Sequence, residues 1–246
     1  MRTLLAFRHA EATINRPDLY MPGHADWMYP LTDAGLIQAQ AAGRWVHNTF
    51  DWVKEGNFHA ATSQFVRAQQ TYQGMGLPQV PLFSLLGLNE QDWGDFMGSS
   101  PPEHLRASFD TDYEIRIDAT APHGESTLDL FWRVRSSLSQ LAADETNNLL
   151  LVTHGRALIV LRMIIEGIPP TDAGWQYMRQ KTVELPNCGA LYYPDFHLPL
   201  GGASRAEVRM AIAVPPYGSM ENLLWRPFIG EAFDALGPGW SSGRGV

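Results

Sequence analysis

One cysteine, Cys188, in 246 residues excludes an intramolecular disulfide and fits a reducing compartment. Basic residues are also scarce, 18 against 26 acidic ones, for a net charge of −8. That balance argues against a general nucleic-acid binder or a binder of anionic membranes, and leaves room only for a local basic pocket. No apolar run approaches the roughly 20 residues of a spanning helix, and the N-terminal run stops at Arg8, too short for a signal-peptide core. The expectation is a cytoplasmic protein with no nucleic-acid and no membrane partner. The eight histidines include no H-E-x-x-H and no paired Cys/His spacing, so no metal site is expected. Neither G-x-G-x-x-G after the first strand nor a Walker-type glycine loop is present, and no cofactor is expected. Internal repeats and low-complexity tracts are absent as well.

What the chain does have is a pair of wholly apolar strands that end in histidine. Leu4–Phe7 runs into Arg8-His9, and Leu149–Thr153 runs into His154-Gly155. Between them, Thr32 is placed to cap a helix with Leu36, Ala39, Trp45, Val46 and Phe50 on its period. His59–Ser63 reads as a short strand leading to a helix with Arg67, and Val80–Leu86 as a third strand or edge. A helix opens at Ser126 or Thr127 and runs to about Ala142. Another covers roughly Ala157–Glu166 and stops where Gly167 can serve as C′ before Pro169-Pro170. Late strands are expected near Thr182–Leu185, Gly189–Tyr193 and Glu207–Val214. This alternation predicts an α/β protein, a three-layer α/β/α sandwich with a mostly parallel central sheet and a small cap excursion. A single domain over 1–246 is expected, with 95–123 as the excursion. Residues 215–246 form an aromatic, proline- and glycine-rich extension that packs on the domain or on a second copy; a homodimer would suit it.

Ligands of open α/β sheets bind beyond the carboxyl ends of the strands. If the two apolar strands are parallel neighbours, His9 and His154 share one crevice, with Arg8 beside them and Arg67 one helical turn beyond Ser63. Glu90 leaves another apolar segment toward the same rim. Two imidazoles, two guanidiniums and a carboxylate suit a phosphomonoester. Arginine forks grip phosphate oxygens, and a neutral imidazole is a competent nucleophile toward phosphorus. Fixed cations stabilise the equatorial charge of the transition state, and a carboxyl group protonates the leaving alkoxide. In that assignment His9 is the nucleophile, Arg8, Arg67 and His154 are the cations, and Glu90 is the acid. Glu125 competes for the acid role, or is a carboxylate favoured by a helix N-terminus.

The same residues resemble the histidine phosphatase (phosphoglycerate mutase-like) superfamily. The matching pieces are Arg8-His9-Ala10-Glu11 with Asn15, Pro30 to Gly35, Ser63 through Arg67 to Thr71, and Leu88-Asn89-Glu90 before Gly94. They continue with Gly124-Glu125-Ser126, Thr153-His154-Gly155 and Asn187-Cys188, in family order over roughly residues 1 to 195. The resemblance implies a phosphohistidine intermediate on His9, a phosphate pocket lined by Arg8, Asn15, Arg67 and His154, and Glu90 as proton donor. Two departures stand out. The family usually has glycine where this chain has Ala10; if that position needed φ > 0, alanine would cost about 1–2 kcal/mol. Arg156, after His154-Gly155, adds a third guanidinium to the pocket or caps a solvent face. His24, with Asn15 and Arg16, lies in an irregular segment that reads as a loop over the crevice, so Glu125, Arg156 and His24 join the substrate-binding candidates.

The family resemblance leaves three functions to separate. The bisphosphoglycerate-dependent mutases typically carry basic residues after the acid and an arginine pair in the excursion; here Gln91-Asp92-Trp93 follows Glu90 and no Arg-Arg occurs. The reading is therefore a metal-independent phosphomonoester hydrolase acting on a small phosphorylated metabolite. Its alternatives are a phosphoglycerate mutase-like phosphotransferase and a non-catalytic phospho-ligand binder.

Overall fold

The two apolar strands lie at the centre of a seven-stranded sheet in the order β3-β2-β4-β1-β5-β6-β7. The computed structural model describes residues 3–21, 23–97, 116–142, 148–181 and 185–194, and the backbone of two further strands at 208–211 and 226–228. The strands are β1 (Thr3–Arg8), β2 (His59–Thr62), β3 (Leu82–Ser84), β4 (Asn148–Thr153), β5 (Ala190–Tyr193), β6 (Val208–Ala211) and β7 (Arg226–Phe228). Strands β1 to β4 pair in parallel, whereas β5, β6 and β7 add antiparallel on the other side of β1. The helices are α1 (Asp33–Thr49), α2 (Asp51–Lys54), α3 (Val66–Gly74), α4 (Thr127–Ala142), α5 (Gly155–Glu166) and α6 (Asp172–Lys181).

A parallel strand covered on both faces must be apolar at every position, and its side chains alternate between the two layers. Leu4, Ala6, Leu149 and Leu151 pack against α4, α5 and α6 through Leu130, Val134, Leu161, Ile165 and Trp175. Leu5, Phe7, Leu150 and Val152 pack against α1 and α3 through Ala39, Val46 and Ala68. The result is the three-layer α/β/α arrangement. Among the described residues no helix is long and apolar enough to cross a membrane.

Thr32 caps α1, its side chain accepting from the Gly35 amide at 2.9 Å. The buried face of that helix differs from the apolar spacing: Leu36 and Ile37 are exposed, and Gly35, Ala39, Ala42, Gly43 and Val46 face inward. Small residues win because the helix lies directly on other backbone. A Cβ at Gly35 would sit 1.9 Å from the Glu11 carbonyl oxygen, and one at Gly43 would sit 1.9 Å from that of Met75. At the start of α4, the Ser126 hydroxyl accepts from the Asp129 amide and the Asp129 carboxylate accepts from the Ser126 amide. Helix α5 ends at Gly167, which takes a left-handed φ of 71°.

Helix α6 was not expected from the sequence, where Pro169-Pro170 was read only as the stop of the preceding helix; α6 begins two residues after that pair. Its first residue, Asp172, accepts from the Ile117 amide, and Trp175 is fully buried. The third strand is shorter than expected and is a sheet edge with exposed side chains. The expected strand near Thr182–Leu185, most of the 95–123 excursion and most of the 215–246 extension lie outside the described residues.

The close approach at Gly43 yields a test. In an ordinary helix interior Gly→Ala stabilises by about 1 kcal/mol. Here the added methyl would collide with backbone, so Gly43→Ala is expected to destabilise by about 1–3 kcal/mol in urea unfolding, reversing the usual sign.

Candidate active site

The register of β1 and β4 sets the site. Arg8 stands opposite Thr153, so the next residues, His9 and His154, leave the sheet at the same level, with ring centroids 5.1 Å apart. The His9 amide donates to the Thr153 carbonyl at 2.8 Å. Its carbonyl accepts from the Cys188 amide and from the Asn187 side chain, at 3.2 and 3.1 Å. Cys188 makes this possible in a left-handed conformation, φ 58°, which costs a non-glycine residue about 1–2 kcal/mol. Its buried thiol is pushed up to about 12 by desolvation.

His9 Nδ1 lies 2.7 Å from the Ala10 carbonyl oxygen, which can only accept, so that nitrogen carries the proton and Nε2 keeps its lone pair. Burial, with Arg67 and Arg8 nearby, holds its pKa well below the usual histidine value, and the ring is neutral near pH 7. Ala10 has no positive φ, its methyl is buried in the α1/α3 layer, and its amide donates to Thr71 Oγ1 at 2.9 Å. The penalty that a left-handed alanine would carry is therefore absent.

Arg67 is buried on α3, and Nε donates toward His9 Nε2 at 3.3 Å. Its terminal nitrogens are held by Asp26, through the backbone carbonyl at 2.6 Å and the carboxylate at 3.1 and 3.2 Å. A buried guanidinium requires such a counter-ion. Asp26 was not picked out in the sequence; the signal that could have found it is the need of a buried arginine for a counter-ion. His154 is fully buried, with Nε2 2.7 Å from Ser63 Oγ at the end of β2. Its Nδ1 has no hydrogen-bond partner among the described residues, which leaves it for a ligand oxygen. Burial, with Arg67 beside it, again holds the ring neutral, so His154 is a neutral hydrogen-bonding group and not the cation expected from the sequence. Arg8 donates from a terminal nitrogen to the Leu185 carbonyl at 2.5 Å.

Glu90 reaches the N-terminus of α5, where its carboxylate accepts from the Arg156 and Ala157 amides, both at 3.3 Å, and from Gln91 at 3.1 Å. Glu90 and Arg8 both flank Gly155, each with an atom 3.8 Å from where a Cβ would stand. Asn15 is exposed. Its side-chain oxygen accepts from the Ala12 amide and from Asn187, which ties it to His9 through Asn187.

Glu125 is ion-paired with Arg133 through both oxygens and accepts from the Asp92 amide, so it serves the loop behind Glu90. The Arg156 guanidinium is packed between the indoles of Trp93 and Trp175, 4.6 and 4.9 Å from their centroids, and donates to Gln91 and Thr127. His24 is exposed, with its ring 6.4 Å from that of Tyr29. Among the described residues no cluster of His, Cys, Asp or Glu is arranged to hold a metal ion.

Comparison with known proteins agrees with this geometry. The family model described as histidine phosphatase superfamily (branch 1) matches residues 4–185. A 2,3-bisphosphoglycerate-dependent phosphoglycerate mutase of Methylobacterium radiotolerans is 30% identical over 180 residues, covering 68% of this chain and 80% of that protein. The mutase of Beijerinckia indica is likewise 30% identical, over 69% of this chain and 83% of its own. Among solved structures, a putative alpha-ribazole-5'-P phosphatase from Escherichia coli superimposes with a TM-score of 0.63 at 22% identity, covering 87% of this chain and 99% of that one. A mycobacterial glucosyl-3-phosphoglycerate phosphatase superimposes with a TM-score of 0.60 at 22% identity, over 83% of this chain and 100% of its own.

The two neutral histidines make stability pH-dependent. Their folded pKa values lie below the unfolded value of about 6.5, so the unfolded chain binds more protons as pH falls through that value. Stability is then full above about pH 6.5 and falls as the solution is acidified below it. Urea unfolding between pH 5 and 8 is expected to show that slope, and a His9→Asn, His154→Asn double variant to flatten it.

Proposed function

The chain belongs to the histidine phosphatase superfamily, and from that premise we propose that it hydrolyses the phosphomonoester of a small metabolite through a phosphohistidine on His9, without a metal. The observation that carries the reading is the fixed tautomer of His9: Nδ1–H is tied to the Ala10 carbonyl, and a neutral Nε2 faces the Arg67 guanidinium.

In the first step Nε2 attacks phosphorus, the N–P bond forms, and the P–O bond to the alcohol breaks. Arg8, Arg67, Asn15 and His154 Nδ1 hold the phosphoryl oxygens, and the equatorial charge of the transition state falls on these fixed donors. Glu90 gives its proton to the departing oxygen. In the second step a water attacks phosphorus, Glu90 takes the proton from it, and the N–P bond breaks to release phosphate and restore His9. Charge build-up on the imidazole is met by the Ala10 carbonyl at Nδ1, the role a carbonyl or carboxylate plays for other nucleophilic and basic histidines.

Transfer to a second hydroxyl in place of water is the reading favoured by the 30%-identical relatives, which are named as mutases. The surroundings of Glu90 support hydrolysis instead. Gln91 is buried and donates to the Glu125 carbonyl, Asp92 is exposed, and no Arg-Arg pair occurs in the chain. A mutase must retain and turn over an acidic product, which calls for added cations in that position.

The test is turnover of p-nitrophenyl phosphate and a panel of phosphorylated metabolites in the presence of EDTA. Activity is expected in wild type and is expected to fall by on the order of 10³-fold or more in His9→Asn, with acid-labile phosphate trapped on His9 in wild type. Equal inactivity of both proteins would exclude catalysis. Rapid interconversion of phosphoglycerates with 2,3-bisphosphoglycerate present, exceeding hydrolysis, would replace this reading with the mutase.

A further inference from the structure

The Glu90 carboxylate sits on a segment with little regular structure of its own: the edge strand β3, then a single 3-10 turn at Leu86–Leu88. A proton donor must be held to within a fraction of an ångström of the departing oxygen, so something outside that segment has to fix it. Arg133 on α4 fits this requirement. One terminal nitrogen donates to the carbonyls of Leu86, Gly87 and Asn89, at 3.3, 3.0 and 2.8 Å, and the other donates to the carbonyl of Glu90 itself at 2.8 Å. Nε and the second terminal nitrogen also bind the two oxygens of Glu125. Glu125 is anchored in turn by the Asp92 amide, two residues beyond Glu90.

The two terminal nitrogens of one planar group thus gather four carbonyls on the approach to Glu90, while its counter-ion Glu125 grips the chain on the far side. The segment can lie this close to α4 because residue 87 is glycine; a Cβ there would fall 1.9 Å from Ser137 Oγ and 2.6 Å from the Arg133 carbonyl oxygen. Thr153 Oγ1 donates to the Leu88 carbonyl at 2.6 Å, which joins the clamp to the end of β4, next to His154. Lysine could not reproduce the arrangement, since an ammonium is a point donor and lacks the planar fork.

We infer that Arg133, paired with Glu125, is a positioning residue for acid catalysis: it sets the backbone of Glu90 so that its carboxylate meets the leaving-group oxygen. The inference rests on the reading of Glu90 as the proton donor. It assigns Glu125 a supporting role and separates Arg133 from the arginines that meet phosphate.

A positioning role for the acid has a signature that general structural damage lacks, because only a poor leaving group needs the proton. The experiment compares kcat/KM for an alkyl phosphate and for 2,4-dinitrophenyl phosphate in wild type, Glu90→Gln, Arg133→Lys, Glu125→Gln and the Glu90→Gln, Arg133→Lys double variant, each checked by urea unfolding. Arg133→Lys is expected to lose about 100-fold on the alkyl ester, within the ~10²–10⁴ that general acid–base catalysis contributes, and less than about 3-fold on the dinitrophenyl ester. The double variant is expected to be no worse than Glu90→Gln alone, since both remove one function. Should Arg133→Lys not fold, Glu125→Gln carries the same test, with an expected alkyl-selective loss of about 10-fold. Equal losses on both esters, or none, in the foldable variant would overturn the positioning role while Glu90→Gln still discriminates between esters. No discrimination in Glu90→Gln itself would overturn the donor assignment and this inference with it.

Discussion

The parallel pairing of β1 with β4 is the constraint on which the rest depends. It is possible because both strands are apolar through their middles, Leu4–Phe7 and Leu149–Val152, so that one set of side chains meets α4, α5 and α6 and the other meets α1 and α3. A shift of one residue would exchange the faces and carry the histidines apart. With Arg8 opposite Thr153, the hydrogen bond from the His9 amide to the Thr153 carbonyl completes the ladder one step beyond the strand. The nucleophile candidate is therefore an extension of the most deeply buried part of the molecule, and its rigidity is inherited from the core.

Around that pair, charge is managed by pairing and desolvation. Arg67 is nearly inaccessible and is balanced by Asp26, while Arg133 is balanced by Glu125. The two imidazoles are uncharged because burial disfavours the proton and neighbouring guanidiniums repel it. A dianionic ester entering such a site finds donors already aimed and has few dipoles left to turn, which is the condition for electrostatic catalysis. Asp26 has a second consequence: its carboxylate rests on the guanidinium that a phosphoryl group would also engage, and the loop of residues 12–30 is thereby fastened to the pocket.

Local strain is found in an unexpected place. Ala10, where the family usually has glycine, lies in ordinary backbone with its methyl in the core. The left-handed residue of the site is Cys188, whose turn delivers an amide and the Asn187 side chain to the His9 carbonyl. That turn links Asn15 to the nucleophile through a single side chain, so two distant stretches of chain are coupled by two hydrogen bonds.

Much of this was determined by the sequence alone. Continuous apolar runs ending in Arg8-His9 and Thr153-His154, a Thr32 cap and a Gly167 stop specify strands and helix ends through local sterics and hydrogen bonding, and those rules act within a few residues. The convergence of His9, His154, Arg67 and Glu90 was legible because strand ends in one crevice follow from parallel order. Only the tertiary structure decided the partners. Asp26, Ser63, Asn187 and Arg133 each meet their target across a long stretch of chain, and hydrogen bonds of that kind leave no period or spacing in the sequence. The buried small-residue face of α1, and the burial of α6 through Trp175, were set the same way, by which backbone happened to lie opposite.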